Sequence, residues 1–247
     1  MRDEVVGLIP AAGKGLRLGL PYPKELYPII RNNRYKPVVQ HTLENMTAAG
    51  ISHVVFVINE TKHQLLGYFG DGRRFNCHIS YVVQEQEGQD EDASPGLSQA
   101  LDAGYHLTQG KTVAFGMADT IIQPVDAFGH MMRALRPGDD VVLALFETDE
   151  PEKFGMVDWT DGLVRRIIDK PETTDLCYMW GCILWQPSFT DYLHTCLQRG
   201  HPTDFAAVMN EAIEEGLVFR GLSFEQGVYI DLGTYEAIAR LEREYRA

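Results

Sequence analysis

Short apolar runs rich in β-branched residues alternate with stretches of helical period through the first 148 residues, a rhythm that few folds accommodate. "EVVGLIPA" (4–11) and "HVVFVIN" (53–59) each read as a buried strand, and "HISYVVQ" (78–84), "TVAFGMAD" (112–119) and "DVVLALFET" (140–148) read as further strands. Between them, "KPVVQHTLENMTAAGI" sets Val38, Val39, Leu43 and Met46 at helical spacing and meets Gly50, a residue suited to ending a helix. "TKHQLLGYFGDG", "LSQALDAGYHL" (97–107) and "VDAFGHMMRALR" supply further helices. Alternation at this pace predicts an α/β fold: a doubly wound, mostly parallel (mixed), Rossmann-like sheet with helices on both faces. No linker or internal repeat interrupts the chain, so residues 1–247 are expected to form one domain, with a substrate-side half after about residue 140.

Charge narrows the partners. The formal net charge of -13 argues against a basic surface for nucleic acid or anionic lipid. No apolar run approaches the roughly 20 residues that cross a bilayer, and "MRDEVVGLIPAAG" lacks the pattern of a cleavable signal. Cys77, Cys177, Cys182 and Cys196 show no C-x-x-C spacing and are expected to be reduced, mostly buried thiols of a cytoplasmic protein. The eight histidines have no ligand spacing and receive no role.

Three features fall where an open α/β sheet binds its ligands, at the carboxyl ends of strands. After the first strand comes Ala12-Gly13-Lys14-Gly15-Leu16-Arg17, whose glycines allow backbone N–H groups to approach an anion closely. The dinucleotide fingerprint G-x-G-x-x-G would need glycine where Leu18 stands, and no G-x-x-x-x-G-K-[ST] loop is present. What remains is a glycine loop with two nearby cations, Arg17 and Lys24, a combination that suits a triphosphate. The second feature is an apolar strand running into Asp119, and the third is "VYIDLGTYEAI", which runs into Asp231 ahead of a helix. Each aspartate alone reads equally well as a cap. Together they could share Mg2+, which takes one or two carboxylates plus phosphate oxygens and water.

The ordered set "PAAGKGLRLG", "PKELYPI", "YVVQ", "PGLSQAL", "FGMADTII", "EKFGMVDW", "RIIDKP", "YMWGCILW" and "YIDLGTYEAI" resembles the sugar nucleotidyltransferases, nearest the glucose-1-phosphate thymidylyltransferase and uridylyltransferase group. The resemblance spans about residues 5–240. It implies attack by a sugar 1-phosphate on the α-phosphorus of a nucleoside triphosphate (dTTP or UTP), releasing pyrophosphate without a covalent enzyme intermediate. By resemblance, Ala12, Gly13 and Gly15 belong to the nucleotide-binding loop, and the two glycines hold the phosphates through their N–H groups. Arg17 clamps the leaving pyrophosphate, and Lys24 binds the α-phosphate. Asp119 and Asp231 hold Mg2+. Gln84 and Gly96 read the base. Lys170 grips the incoming phosphate, Asp169 faces acceptor hydroxyls, and Gly155 and Gly181 let the sugar lie against backbone. Residues 1–140 are then the nucleotide-binding half and 141–247 the sugar-phosphate half.

The chain departs from this pattern at several positions: the spacing from Arg17 to Lys24 is short, and the sequence around Trp180 differs from the usual sugar pocket. Leu16 stands where a small hydroxyl residue is usual, and the acidic segment "EQEGQDEDASPG" (85–96) widens the gap between Gln84 and Gly96. That segment reads either as a solvated loop or as a lid whose carboxylates (Glu85, Glu87, Asp90, Glu91, Asp92) select a cationic acceptor. Two other functions share the site plan: a cytidylyltransferase acting on a non-sugar phosphate or phosphonate, and a catalytically silent subunit that binds nucleotide sugars. The expected partners are nucleoside triphosphate and sugar phosphate, with neither nucleic acid nor membrane. An oligomer is compatible with the sequence but not assignable from it.

Overall fold

The computed structural model describes residues 4–15, 18–31, 34–85, 96–200 and 204–246. In chain order the strands are β1 (Val5–Pro10), β2 (Pro28–Arg31), β3 (Arg34–Pro37), β4 (His53–Ile58), β5 (His78–Val83), β6 (Thr112–Gly116), β7 (Thr120–Gln123), β8 (Val141–Glu147), β9 (Gly155–Thr160), β10 (Leu163–Asp169), β11 (Tyr178–Trp185), β12 (Phe219–Ser223) and β13 (Val228–Asp231). The helices are α1 (Val38–Ala48), α2 (His63–Phe69), α3 (Leu97–Asp102), α4 (Tyr105–Thr108), α5 (Ala127–Ala134), α6 (Pro187–Gln198), α7 (Phe205–Glu214) and α8 (Tyr235–Arg246).

One mixed sheet organises the molecule, in the order β5-β4-β1-β6-β11-β8-β12-β10-β9. β5, β4, β1 and β6 run parallel, as do β8 and β12. β11 lies antiparallel between β6 and β8, so a strand from late in the chain joins the β5-β4-β1-β6 group to β8 and β12. β9 and β10 close the far edge as an antiparallel pair.

Period-two alternation explains why the central strands are apolar throughout. On β8, Val141, Leu143 and Leu145 enter one core, while Val142, Ala144 and Phe146 enter the other. β4 divides in the same way, Val55 and Val57 against Val54, Phe56 and Ile58. The first core is covered by Leu101 of α3, Phe189 and Leu193 of α6, and Val208 and Met209 of α7. The second is covered by Leu43 and Met46 of α1, Phe69 of α2, and Phe128 and Met131 of α5. Each fully buried side chain of this kind contributes about 1.5–3 kcal/mol. A third, smaller core joins Ile29, Val38, Ile121, Leu232, Ile238 and Leu241, and it fastens α8 to the β2–β3 hairpin and to β7.

Local signals set several boundaries. α1 ends as its sequence predicts: Gly50, at φ +82°, donates to the Thr47 carbonyl (3.0 Å), and Ile51 donates to that of Met46 (3.1 Å). Two expectations need correction. The single helix over 97–107 is two, α3 and α4, because the chain turns tightly at Gly104, whose N–H reaches the Leu101 carbonyl (3.2 Å). A side chain at Gly104 would lie 3.0 Å from Leu8, so the glycine lets this turn sit on β1. The strand over 112–119 ends at Gly116, and the chain then bends into β7, which leaves the main sheet to pair with β13.

Cys77, Cys182 and Cys196 are buried, Cys177 is exposed, and none is in a disulfide. Among the described residues no helix is long and apolar enough to cross a membrane.

Candidate active site

The glycine loop leaves β1 at its carboxyl end. Ala11 donates to the Val57 carbonyl (2.7 Å), and the Ala12 carbonyl accepts from the amide of Asn59 (2.7 Å). Gly13 is exposed. Gly15 adopts φ +66°, and a methyl group there would lie 3.6 Å from Cγ of Lys24, so the loop lies along the lysine stem. Leu16 and Arg17 lie outside the described residues.

Lys24 opens a one-turn 3-10 segment, Lys24–Leu26, and its ammonium donates to the Asp119 carboxylate. Burial alone would push the Lys24 pKa down. The charges of Asp119, Glu25 and Asp231 and the hydrogen bond to Asp119 outweigh it and leave the lysine above its ordinary value. Asp119 is 7% exposed and stands three residues past the end of β6, in the bend into β7, rather than on the strand itself.

Asp231 reaches the same place from the other direction. In the antiparallel β7–β13 pair it lies opposite Thr120, and Leu232 donates to the Asp119 carbonyl (2.9 Å). The alternative reading of Asp231 as the cap of the last helix does not hold. Asp231 accepts from Gly233 N–H (2.7 Å) in a local turn, and Thr234 supplies the bond to the first turn of α8, from Ala237 N–H (3.3 Å).

A cleft of about 590 Å3 opens beside these groups, lined by Lys24, Asp119 and Asp231 together with Gly155, Asp169 and Lys170. β9 and β10 bring in the last three, since Asp169 pairs with Gly155. Lys170 holds φ +44°, which costs a non-glycine residue energy. Its N–H bonds the Phe154 carbonyl (2.9 Å), and its exposed ammonium lies 3.5 Å from the Asp169 carboxylate. Gly96 also reaches the cleft, although its N–H is engaged by Gln99 Oε1 (2.9 Å).

Three expected residues are placed differently. Gln84 follows β5 at the sheet edge and is not part of the cleft lining, and its buried amide oxygen has no hydrogen-bond partner among the described residues. At Gly155 the space left by the missing side chain holds the Trp180 indole, whose Nε1 would lie 2.3 Å from a methyl group there. Gly181 is buried beneath the rings of Phe146 and Tyr229, each within 2.7 Å of such a methyl. The side-chain space of both glycines is therefore filled by aromatic rings. Of the acidic segment only Glu85 and Gly96 are described; Glu87, Asp90, Glu91 and Asp92 lie outside the described residues.

The cleft also contains residues that the sequence reading gave no role: Lys153, Phe154, Trp180 and Tyr229. Tyr229 precedes Asp231 by two on β13, so strand periodicity alone puts it on the same face. Burial and the charges of Asp231 and Asp119 raise its phenol well above the ordinary value, which keeps it protonated.

The model of the nucleotidyl transferase family matches residues 6–247, and the chain belongs to that family. It is 29% identical over 188 residues to a glucose-1-phosphate thymidylyltransferase of Streptomyces griseus, covering 73% of this chain and 49% of the relative. With UTP–glucose-1-phosphate uridylyltransferase 1 of Staphylococcus saprophyticus it shares 26% identity over 222 residues, 75% of this chain and 73% of the other. It spans about half the length of some curated relatives, 49% for the Streptomyces protein and 50% for a low-salt glycan biosynthesis nucleotidyltransferase of Haloferax volcanii. The fold is that of a UDP-glucose pyrophosphorylase solved with UDP-glucose, with a TM-score of 0.78 at 21% identity over 98% of both chains.

Proposed function

We propose that this chain transfers a nucleotidyl group from a nucleoside triphosphate to a sugar 1-phosphate, releasing pyrophosphate. One observation carries the reading: Lys24, Asp119 and Asp231 from one side of the chain's topology and Asp169 and Lys170 from the other line a single cleft beside the glycine loop. Two polyanionic substrates need cations within reach in a protein of net charge -13, and Lys24, Lys153 and Lys170 line that cleft.

The reaction joins an oxygen of the sugar phosphate to the α-phosphorus while the bond to pyrophosphate breaks. The protein's contribution is alignment and neutralisation of charge. Gly13 and Gly15 direct backbone N–H groups at the triphosphate, Lys24 meets the α-phosphate, and Arg17 takes the leaving pyrophosphate. Lys170 receives the acceptor phosphate, with Asp169 toward its hydroxyls and Gly155 on the cleft wall beside them. Gly96 lines the cleft on the nucleotide side. The relatives named for thymidylyl and uridylyl transfer favour dTTP or UTP.

A divalent cation, Mg2+ by its donor chemistry, fits the residues present. Asp119 and Asp231 are oxygen donors held together by the β7–β13 pairing, with open cleft beside them for phosphate and water. Bound there, the ion would supply neutralisation of phosphate charge. Lys24 already sits on Asp119, so lysine and carboxylate are in register before substrate arrives.

The test is pyrophosphate release with Mg2+, each common nucleoside triphosphate, and a panel of sugar 1-phosphates and alcohol phosphates. Release with dTTP or UTP and a sugar 1-phosphate is expected. Release only with CTP and an alcohol phosphate would replace the proposal with a cytidylyltransferase. Nucleotide binding without release for any pair would favour a silent binding subunit.

A further inference from the structure

A short segment at the carboxyl end of β4 grips both parts of the site. Asn59, 3% exposed, donates to the Ala12 carbonyl (2.7 Å), where the chain enters the glycine loop, and its own oxygen accepts from Thr61 N–H (3.0 Å) and hydroxyl (2.7 Å). Three residues on, Lys62 donates to Glu25 Oε1 at 2.5 Å. Glu25 is the neighbour of Lys24 in the same turn.

The Lys62 and Glu25 side chains are 4% and 1% exposed, and neither lines the cleft, so neither meets substrate. Burial pulls Lys62 down and pushes Glu25 up, each partly countered by the other's charge. Stability is a poor reason for such a pair, because apolar residues of similar volume often serve a fold equally well. Its position offers a better reason. It fixes the Lys24 turn against β4, while Asn59 fixes the glycine loop against the same strand end.

We propose that Asn59 and the Lys62–Glu25 pair are positioning residues for the phosphate cradle, Asn59 acting through the Ala12 carbonyl and the ion pair through Lys24. This rests on reading the loop and Lys24 as a phosphate site.

The probe is inorganic tripolyphosphate, with binding followed by calorimetry, alongside kcat and KM for pyrophosphate release. Replacing the pair by neutral residues, Glu25→Leu with Lys62→Met, should keep the melting temperature near that of the wild type. It should weaken tripolyphosphate binding and lower kcat by up to about 100-fold, the cost of about 1 Å of misplacement in a reacting site. In a Lys24→Ala background the same replacement should have no further effect, because its route runs through Lys24. Asn59→Ala should still weaken binding in that background. Should the double replacement fail to fold, Glu25→Gln with Lys62→Gln, which keeps polar side chains at both positions and leaves no buried charge unpaired, carries the comparison. A folded charge-removed variant that binds and turns over like the wild type overturns the proposal, as does an undiminished effect without Lys24. A wild-type protein that binds no tripolyphosphate would instead sink the phosphate reading, and this inference with it.

Discussion

Thr120 lies opposite Asp231 in the antiparallel pairing of β7 and β13, and this places the Asp119 bend beside Asp231 from the far end of the chain. Asparagine at 231 can still accept from Gly233 N–H, now at 2.7 Å, so Asp231→Asn should fold normally while losing the charge. Mg2+-dependent pyrophosphate release should disappear, and chelation by EDTA should abolish the wild-type rate until Mg2+ is restored. Wild-type turnover in Asp231→Asn would remove this aspartate from the metal site.

Lys24 is held by Asp119 and packed along Gly15, so it is positioned before any substrate binds. Lys24→Ala should lower kcat by about 100- to 1,000-fold, the usual effect of deleting a group that stabilises developing charge. Steady-state kinetics would show it. An unchanged kcat with a raised KM would mean that the lysine binds ground and transition states equally.

The central strands were legible because burial on both faces demands apolar runs, and the glycine loop because it follows the first of them. Lys24, Asp119 and Asp231, picked out by their places after strands, and Asp169 and Lys170, implied by resemblance, all line one cleft. Their juxtaposition was harder to read. Asp119 lies beyond β6 because β7 leaves the main sheet for β13, a pairing distant in sequence and invisible to local periodicity. The filling of Gly155 by Trp180 and of Gly181 by Phe146 and Tyr229 depends on strand register, which composition does not specify. Lys62 and Glu25 each look like ordinary surface charges until the fold buries them together.

Gly155→Ala would bring a methyl group to 2.3 Å from the Trp180 indole nitrogen. The ring must move, at a cost of about 1–3 kcal/mol for overpacking. Thermal denaturation should show the loss, and Trp180→Phe in the same chain should recover part of it. Equal melting temperatures for Gly155→Ala and the wild type would show that the indole shifts freely.

Thiol labelling tests the packing elsewhere. Burial pushes the Cys77 thiol up to about 11 and raises Cys182 and Cys196 as well, whereas Cys177 is exposed. A chromogenic disulfide reagent should modify Cys177 quickly in the native protein and the other three only after denaturation. Fast native labelling of Cys182 would contradict its place in the core.

Acid stability should depend on Asp139, which receives Arg220 Nε (2.5 Å) and a second guanidinium N–H (2.8 Å) and ties the start of β8 to β12. Burial alone would raise its pKa. Hydrogen bonds from Arg220 and the Arg136 N–H, with the charges of both arginines, outweigh it and hold the carboxyl below its ordinary value. A carboxylate lowered in the folded state adds stability that is complete above its unfolded pKa of about 3.9 and is lost as pH falls through the folded value. Arg220→Met leaves Asp139 buried at neutral pH with only the Arg136 N–H and the Arg136 charge to stabilise it. The cost should fall near the lower end of about 3–5 kcal/mol, since Arg220 retains 12% exposure. Once the carboxyl is protonated that penalty shrinks, so urea unfolding of variant and wild type should converge below about pH 4. A stability difference that stays constant from pH 7 down to that range would show that the arginine contributes through packing alone.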